Sequence, residues 1–322
     1  MRYVVLGASG GIGNAVARAA AQRGHLVRVV ARNPAHLVGL PTNVERLTAD
    51  ALDLSQVVRV CSDADVVVHG VNVPYQHWSE QVPRIAANIR AAAESARAIL
   101  AFPGNVYPYG HPQQNPVRED HPIAPCSVKG QIRAEIEREY LAAHAAGKLR
   151  LVLPRYPDFY GPFVLNGLYS PIFDGAWTGK ACRWPLNADL AHEFIYIEDA
   201  AQALIQMVET PAAQGQVVHV PGPGSITGRH FIELAYQAGG HTPKIRVFGR
   251  TAWRFAGLFN AEVRGAYEMA YLFDESLILD GSKFRSIFGG APPSTPYGEG
   301  IRRTVDWYRT PDRKAVGSAR GR

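Results

Sequence analysis

Short, mostly apolar runs rich in Val and Ile alternate with Ala-rich stretches through the first half of this 322-residue chain. The runs at 3–6, 27–31, 44–47, 66–69, 98–102 and 149–153 predict strands, and the stretches between them at about 12–23, 54–61, 77–97 and 127–147 predict helices. Strict strand–helix alternation implies right-handed βαβ crossovers and a parallel sheet covered on both faces. The expected fold class is therefore α/β, a doubly wound Rossmann sheet with a smaller C-terminal substrate lobe. After Arg155 the pattern changes, with Pro, Gly and aromatic residues dense through 156–185. A strand-like run at 194–197, a helix starting near Asp199 and a strand at 217–220 are expected to return to the main sheet. This divides the chain into a nucleotide-binding domain over 1–165 with returning elements at about 192–222, a smaller lobe from 166–191 and 223–310, and a disordered basic tail at 311–322. No internal repeat is present.

The first strand runs directly into Gly7-x-x-Gly10-x-x-Gly13 and an Ala-rich helix. In such a turn Gly7 permits the tight strand-to-helix bend, Gly10 lets the backbone approach a pyrophosphate, and Gly13 lets the helix pack closely on the sheet. The helix N-terminus adds unpaired N–H groups and the positive end of a dipole. Gly7, Ser9, Gly10, Gly11, Ile12 and Gly13 are accordingly the expected pyrophosphate cradle. At the end of the second strand, where an acidic residue would bind the adenosine ribose of NAD, the chain carries Ala31-Arg32-Asn33. A guanidinium can pair with a 2′-phosphate and no carboxylate repels it, so the expected cofactor is NADP(H). Capping of the strand end or stacking on adenine is the other use open to Arg32.

Composition narrows the class. With 47% hydrophobic and 10% aromatic residues the chain has enough apolar surface for a substantial core. It contains no apolar run of membrane-spanning length and opens on a strand pattern rather than a charged and then apolar leader, so a cytoplasmic protein with no membrane partner is expected. Cys61, Cys126 and Cys182 are odd in number and widely spaced, which fits neither a disulfide framework nor a metal knuckle. No metal site is expected among the eleven scattered histidines. Of the net charge of +6, Arg313, Lys314, Arg320 and Arg322 contribute four positive charges at the very end, and no basic stripe suggests a nucleic-acid partner. A small-molecule substrate is the expected partner.

The chain resembles the extended short-chain dehydrogenase/reductases, the NAD-dependent epimerase/dehydratase group, over most of residues 1–310. The glycine spacing is that of this branch. Ala49-Asp50-Ala51 is similar to the family segment whose Asp contacts the adenine amino group, and His69-Gly70-Val71-Asn72 to the loop lining the nicotinamide ribose. Arg155-Tyr-Pro-Asp-Phe-Tyr-Gly-Pro162 resembles the family's Arg-Pro-x-x-x-Tyr-Gly-Pro element. The resemblance implies cofactor contacts from Asp50, Ala51, Gly70, Val71, Asn72 and Arg155, and a homodimer formed through the helices at 77–97 and 127–147.

The departures from the family concern the chemistry. A catalytic Ser is expected four residues before the Tyr of Val106-Tyr107, and Pro103 stands there. The family's Tyr-x-x-x-Lys is absent, because none of the six lysines has a tyrosine four residues before it. The matching spacing holds Lys129-Gly-Gln-Ile-Arg133, two cations one helical turn apart. Either Arg133 takes the lysine's place at the nicotinamide ribose and Lys129 acts as acid or base, or both bind cofactor phosphate or ribose. Asn105 can donate to a substrate carbonyl, and Tyr107 or Tyr109 can supply a phenolic proton, unless Tyr107 merely packs under its loop. The catalytic candidates are thus Lys129, Tyr107 and Asn105. Asp158 and Tyr160 can reach the same cleft, and Tyr75, His77, Trp78, Trp177 and Trp184 are expected in loops around it. Three functions remain open: an NADP(H)-dependent oxidoreductase of a small carbonyl or alcohol, a nucleotide-sugar epimerase or dehydratase, and a non-catalytic redox sensor that binds the cofactor. The first is favoured, since the missing Ser and Tyr count against the second.

Overall fold

The computed structural model describes residues 1–320. Its first half runs β1 (Arg2–Leu6), α1 (Gly11–Gln22), β2 (Leu26–Ala31), β3 (Glu45–Thr48), α2 (Leu54–Cys61), β4 (Val66–His69), α3 (Trp78–Ala96), β5 (Ile99–Ala101), β6 (Gly104–Asn105), α4 (Val128–Ala145) and β7 (Arg150–Tyr156). The second half adds β8 (Asp158–Tyr160), α5 (Ser170–Thr178), β9 (Cys182–Pro185), β10 (Ala191–Tyr196), α6 (Ile197–Glu209), β11 (Val217–His219), β12 (Ser225–Thr227), α7 (Gly228–Gly239), β13 (Ile245–Phe248), α8 (Arg250–Phe259), α9 (Ala261–Tyr267), α10 (Ser282–Phe288), α11 (Tyr297–Tyr308) and α12 (Pro311–Arg320). The main sheet is parallel, in the order β11-β7-β5-β4-β1-β2-β3, with β6 also paired to β7. Strand order reverses between β1 and β4, and in open α/β sheets the crevice at such a switch point is where ligands bind.

Both faces of the sheet are covered, which explains why its strands read as near-continuous apolar runs. Side chains alternate between two cores: Tyr3, Val5, Val66 and Val68 meet α1, α6 and α10, while Val4, Leu6 and Val67 meet α2, α3 and α4. A third core, built on Phe173, Trp184, Phe194, Phe231 and Tyr236, belongs to the C-terminal lobe. There Phe194 and Phe231 stack with ring centroids 4.4 Å apart.

Three expectations are corrected. The strand at 194–197 does not return to the main sheet: β10 pairs with β8 and antiparallel with β12 in a three-stranded sheet of the lobe. Only β11 rejoins the main sheet, beside β7. The lobe's sheet begins at β8, so the change of layer comes before residue 165. Finally, the segment expected as a disordered tail is a helix, α12, through Arg320. Val316 is buried in the lobe core and Arg313 donates to Asp174 at 3.0 Å, contacts that a run of basic residues conceals in sequence. Residues 321–322 of that expected tail lie outside the described residues. Among those described, no helix is long and apolar enough to cross a membrane, and no group of three or more His, Cys, Asp or Glu is placed to hold a metal ion.

Candidate active site

The glycine turn sits at the switch point. Gly7 has φ of 86°, and a Cβ on it would lie 2.5 Å from the Gly70 carbonyl carbon and oxygen. A Cβ on Gly13 would lie 2.4 Å from the Gly7 oxygen. Gly7, Gly13 and Gly70 thus mark where the β1 turn, helix α1 and the loop after β4 meet backbone to backbone. Gly10 differs: its Cβ would meet nothing closer than 3.5 Å, so its glycine opens space in front of the turn. No side chain caps α1 and its first turn holds no acidic residue. Its first N–H groups, with no acceptor inside the helix, are left to an anion.

At the end of β2, Ser9, Ala31, Arg32, Asn33 and His36 line a shallow hollow. Asn33 Oδ1 accepts from the Ala35 N–H at 3.0 Å and caps the following turn, while the exposed Arg32 has no hydrogen-bond or ion-pair partner among the described residues. Further along the cleft edge, Asp50 Oδ1 accepts from the Leu52 N–H at 3.0 Å and the Ala51 carbonyl accepts from Asn88 Nδ2 at 3.0 Å. Asn72 Oδ1 accepts from the Val73 N–H at 3.0 Å. These contacts shape the loops after β3 and β4.

The catalytic candidates converge beside this turn. Ser127 caps α4, its hydroxyl accepting from the Gly130 N–H at 3.0 Å, and a Cβ on Gly130 would lie 2.7 Å from the Tyr107 carbonyl oxygen. The close approach presses the start of α4 against the turn that carries Tyr107. Lys129 is buried, with its Nζ 4.6 Å from the Tyr75 ring centroid and ion-paired to Glu268. The same Glu268 carboxylate accepts from the Val128 N–H at 2.8 Å, so a residue 139 positions away holds both the lysine and the first N–H of its helix. An ammonium has three N–H donors; the remaining two of Lys129 have no acceptor among the described residues.

Tyr107 and Tyr75 share a hydrogen bond of 2.9 Å between their hydroxyls. Burial pushes both phenols up, so neither offers the phenolate that the resembled family uses. Asp158 lies close enough for its charge to act on both, accepts from the Tyr169 hydroxyl at 2.6 Å, and has its carboxyl raised by burial. Arg133, one turn beyond Lys129, has its guanidinium 5.0 Å from the Trp78 ring centroid and 5.1 Å from that of Phe102. Its buried Nε has no hydrogen-bond partner among the described residues, and burial lowers its affinity for the proton. Behind Phe102, His69 stacks at 4.8 Å and bonds Tyr140 at 2.9 Å, while Tyr140 donates to the Ala86 carbonyl at 3.0 Å. His69 therefore donates through Nδ1, and burial, then Arg133, push it down to about 3.

Several expected roles change. Arg155 faces Glu137 rather than the cofactor turn: its Nε donates at 3.1 Å, its guanidinium lies 4.4 Å from the Tyr109 ring, and both charged partners are buried. Tyr109 itself is buried against His219 and Arg155. Asn105 keeps its expected place: its Oδ1 accepts from the Tyr107 N–H at 3.2 Å and shapes the turn, which leaves the Nδ2 donor for a substrate carbonyl. Tyr160 is buried in the lobe, as is Trp184, whose Nε1 donates to Asn187 at 3.2 Å. Trp177 is exposed with Arg309 5.4 Å from its ring. Glu268 and Tyr169 escape sequence reasoning because no local spacing ties them to Lys129 or Tyr107.

A model of the NAD dependent epimerase/dehydratase family matches residues 3–220. The chain is 24% identical over 276 residues to a dTDP-glucose 4,6-dehydratase of Streptomyces antibioticus, covering 81% of this chain and 75% of that one. Among solved structures, it is similar in fold to a dTDP-glucose 4,6-dehydratase of Bacillus anthracis in complex with NAD, with a TM-score of 0.81, 16% identity and coverage of 98% and 99% of the two chains. It is likewise similar to a UDP-glucose 4-epimerase of Thermus thermophilus in complex with NAD, with a TM-score of 0.78, 20% identity and coverage of 97% and 100%.

Proposed function

Because the chain belongs to the NAD dependent epimerase/dehydratase family, we propose that it binds a nicotinamide dinucleotide at the Gly7–Gly13 turn and carries out hydride transfer at a hydroxyl-bearing carbon, with Lys129 in place of the usual tyrosine. The residues fit such a cofactor: the turn is closed to side chains at Gly7 and Gly13 and open at Gly10, and α1 presents an uncapped N-terminus. Arg32 is free to take a 2′-phosphate, which favours NADP(H) over NAD(H). Arg133, a half-buried cation whose buried Nε has no hydrogen-bond partner among the described residues, is suited to the nicotinamide ribose or an adjacent phosphate.

When bound, the cofactor supplies or accepts the hydride. Lys129 is placed as the proton donor: Glu268 and the Tyr75 ring hold its amino group in position, and its two free N–H groups can donate to a substrate oxygen. Tyr107 and Tyr75, protonated because they are buried, orient that oxygen through their shared hydrogen bond. The aromatic walls exclude water.

The relatives favour a nucleotide-linked sugar as substrate over a small free carbonyl. The small carbonyl keeps a place because Tyr75 lies against the lysine, with Tyr107 bonded to Tyr75 and Trp78 packed edge-on against it. The observation that carries the reading is Lys129 seated beside the switch point with two N–H donors to spare. Its test is a substrate panel of dTDP-glucose, UDP-glucose and simple aldehydes and ketones, with NADP(H) and NAD(H), for wild type and Lys129→Met. Turnover falling about 10²–10⁴-fold in the variant, with nicotinamide binding kept, is the expected result for loss of a proton donor. Undiminished turnover in the variant would remove Lys129 from that role.

A further inference from the structure

Helix α8 turns three large apolar residues outward. Trp253 and Gly257 face the lobe and are buried, whereas Phe255, Leu258 and Phe259 are 64%, 68% and 78% exposed. Spaced i, i+3 and i+4, they form one stripe on the helix surface, and Phe255 and Phe259 touch with ring centroids 5.3 Å apart. Val247 on the neighbouring strand β13 is 49% exposed. Cations accompany the stripe: Arg250 and Arg254 lie along the helix row that leads to Leu258, and Arg246 is exposed on the strand that precedes the helix. Arg250 pairs with Asp274, but Arg246 and Arg254 are exposed and have no hydrogen-bond or ion-pair partner among the described residues. Over 246–264 the chain has four arginines and one acidic residue, Glu262.

We propose that this face docks on an anionic bilayer surface, with Phe255, Leu258 and Phe259 entering the interfacial layer and Arg246 and Arg254 meeting lipid phosphates. A large apolar stripe on a short helix bordered by unpaired cations has the chemistry of an in-plane membrane anchor. A two-fold pairing of copies through this face would offer its four arginines a single acidic residue, Glu262, on the opposing copy, which argues against a second copy as its occupant. The helices through which the family resemblance implies dimerisation, α3 and α4, are different elements. This departs from the expectation of no membrane partner, which rested on the lack of a spanning run, a feature that docking on a membrane surface does not need.

Docking also acts close to the site. Gly257 packs on Arg264 of α9, and a Cβ on Gly265 of α9 would lie 3.0 Å from Tyr75 Cβ. The anchor helix therefore bears on the element that precedes Glu268 and covers Tyr75.

The test is co-sedimentation of the full chain with phosphatidylcholine vesicles, with and without phosphatidylglycerol, for wild type, Phe255→Ser/Leu258→Ser/Phe259→Ser and Arg246→Glu/Arg254→Glu. The expected result is pelleting of wild type with the anionic vesicles only, reduced at least tenfold in either variant and lost near about 1 M salt, where the Debye length is about 3 Å. Unchanged circular dichroism and melting of the serine variant keep the loss from being read as unfolding. No pelleting of wild type, or equal pelleting of the serine variant, overturns the proposal. So does a wild-type dimer in sedimentation that the serine variant converts to monomer, since a second copy would then own the face.

Discussion

The glycine turn and the lysine cleft lie side by side in space yet are made in different ways. The turn occupies seven consecutive residues, Gly7–Gly13, and its requirements are backbone requirements: a positive φ, and approaches that no Cβ allows. The cleft gathers side chains from Tyr75, Tyr107, Lys129, Asp158, Tyr169 and Glu268, and depends on which partner each one finds. A constraint on the backbone leaves a spacing in the sequence, whereas a constraint on long-range partners leaves only residue types. The cofactor half also avoids buried charge, while the cleft is underlain by it in the Arg155–Glu137 pair.

The sharpest way to break that contrast is Arg155→Met. It leaves Glu137 buried without its partner and should cost about 3–5 kcal/mol of stability in urea unfolding, with most of the loss recovered in Arg155→Met/Glu137→Met. A variant of normal stability that fails to bind nicotinamide nucleotides would instead return Arg155 to the cofactor site. Next in size is Gly13→Ala, whose methyl meets the Gly7 carbonyl; overpacking of this kind costs about 1–3 kcal/mol, and nicotinamide binding should be lost with it. Gly10→Ala should leave stability nearly unchanged while weakening binding, because its methyl enters the space in front of the turn. Equal destabilisation by both would erase the distinction drawn between the two glycines.

A smaller effect is the pH dependence that Glu193 gives the lobe. Glu193 on β10 accepts from the Leu279 and Gly222 N–H groups at 2.9 and 3.1 Å, and burial raises its carboxyl to about 7 from 4.5. The unfolded chain ionises first as pH rises across that window, so the contribution of this group is present at low pH and is lost as pH climbs toward about 7. Buried His69, His192 and His219, pushed down to about 3, 4 and 3, lose theirs in the opposite direction, as pH falls below 6.5. The difference between wild type and Glu193→Gln isolates the first effect. Its slope should approach about 1 kcal/mol per pH unit between about pH 4.5 and 7. A flat difference curve would show that Glu193 titrates as an ordinary carboxylate.

The same division governs what could be read without the structure. All six strands expected in the first half are present as β1, β2, β3, β4, β5 and β7; five of them are apolar because a doubly covered parallel sheet writes such runs into the chain, while β3, Glu-Arg-Leu-Thr, is a mostly exposed edge strand. Strand β10 carries an equally apolar run and went to the wrong sheet, since a run does not say which neighbour it pairs with. Arg155 had the motif of a cofactor contact, yet Glu137, 18 positions earlier, claims it. Lys129 was legible as a candidate; its partner Glu268 was not. Basic residues at 313–320 suggested disorder, but Val316 and the Arg313–Asp174 contact anchor a helix.

The central claim is that the turn binds a nicotinamide dinucleotide and that Arg32 selects its phosphorylated form. Fluorescence titration of NADPH and NADH into wild type and Arg32→Ala tests it directly. The account predicts tighter binding of NADPH, weakened about tenfold or more by the substitution, which corresponds to roughly 1.4 kcal/mol, with NADH little changed. Binding of neither nucleotide by a folded wild-type protein would contradict it.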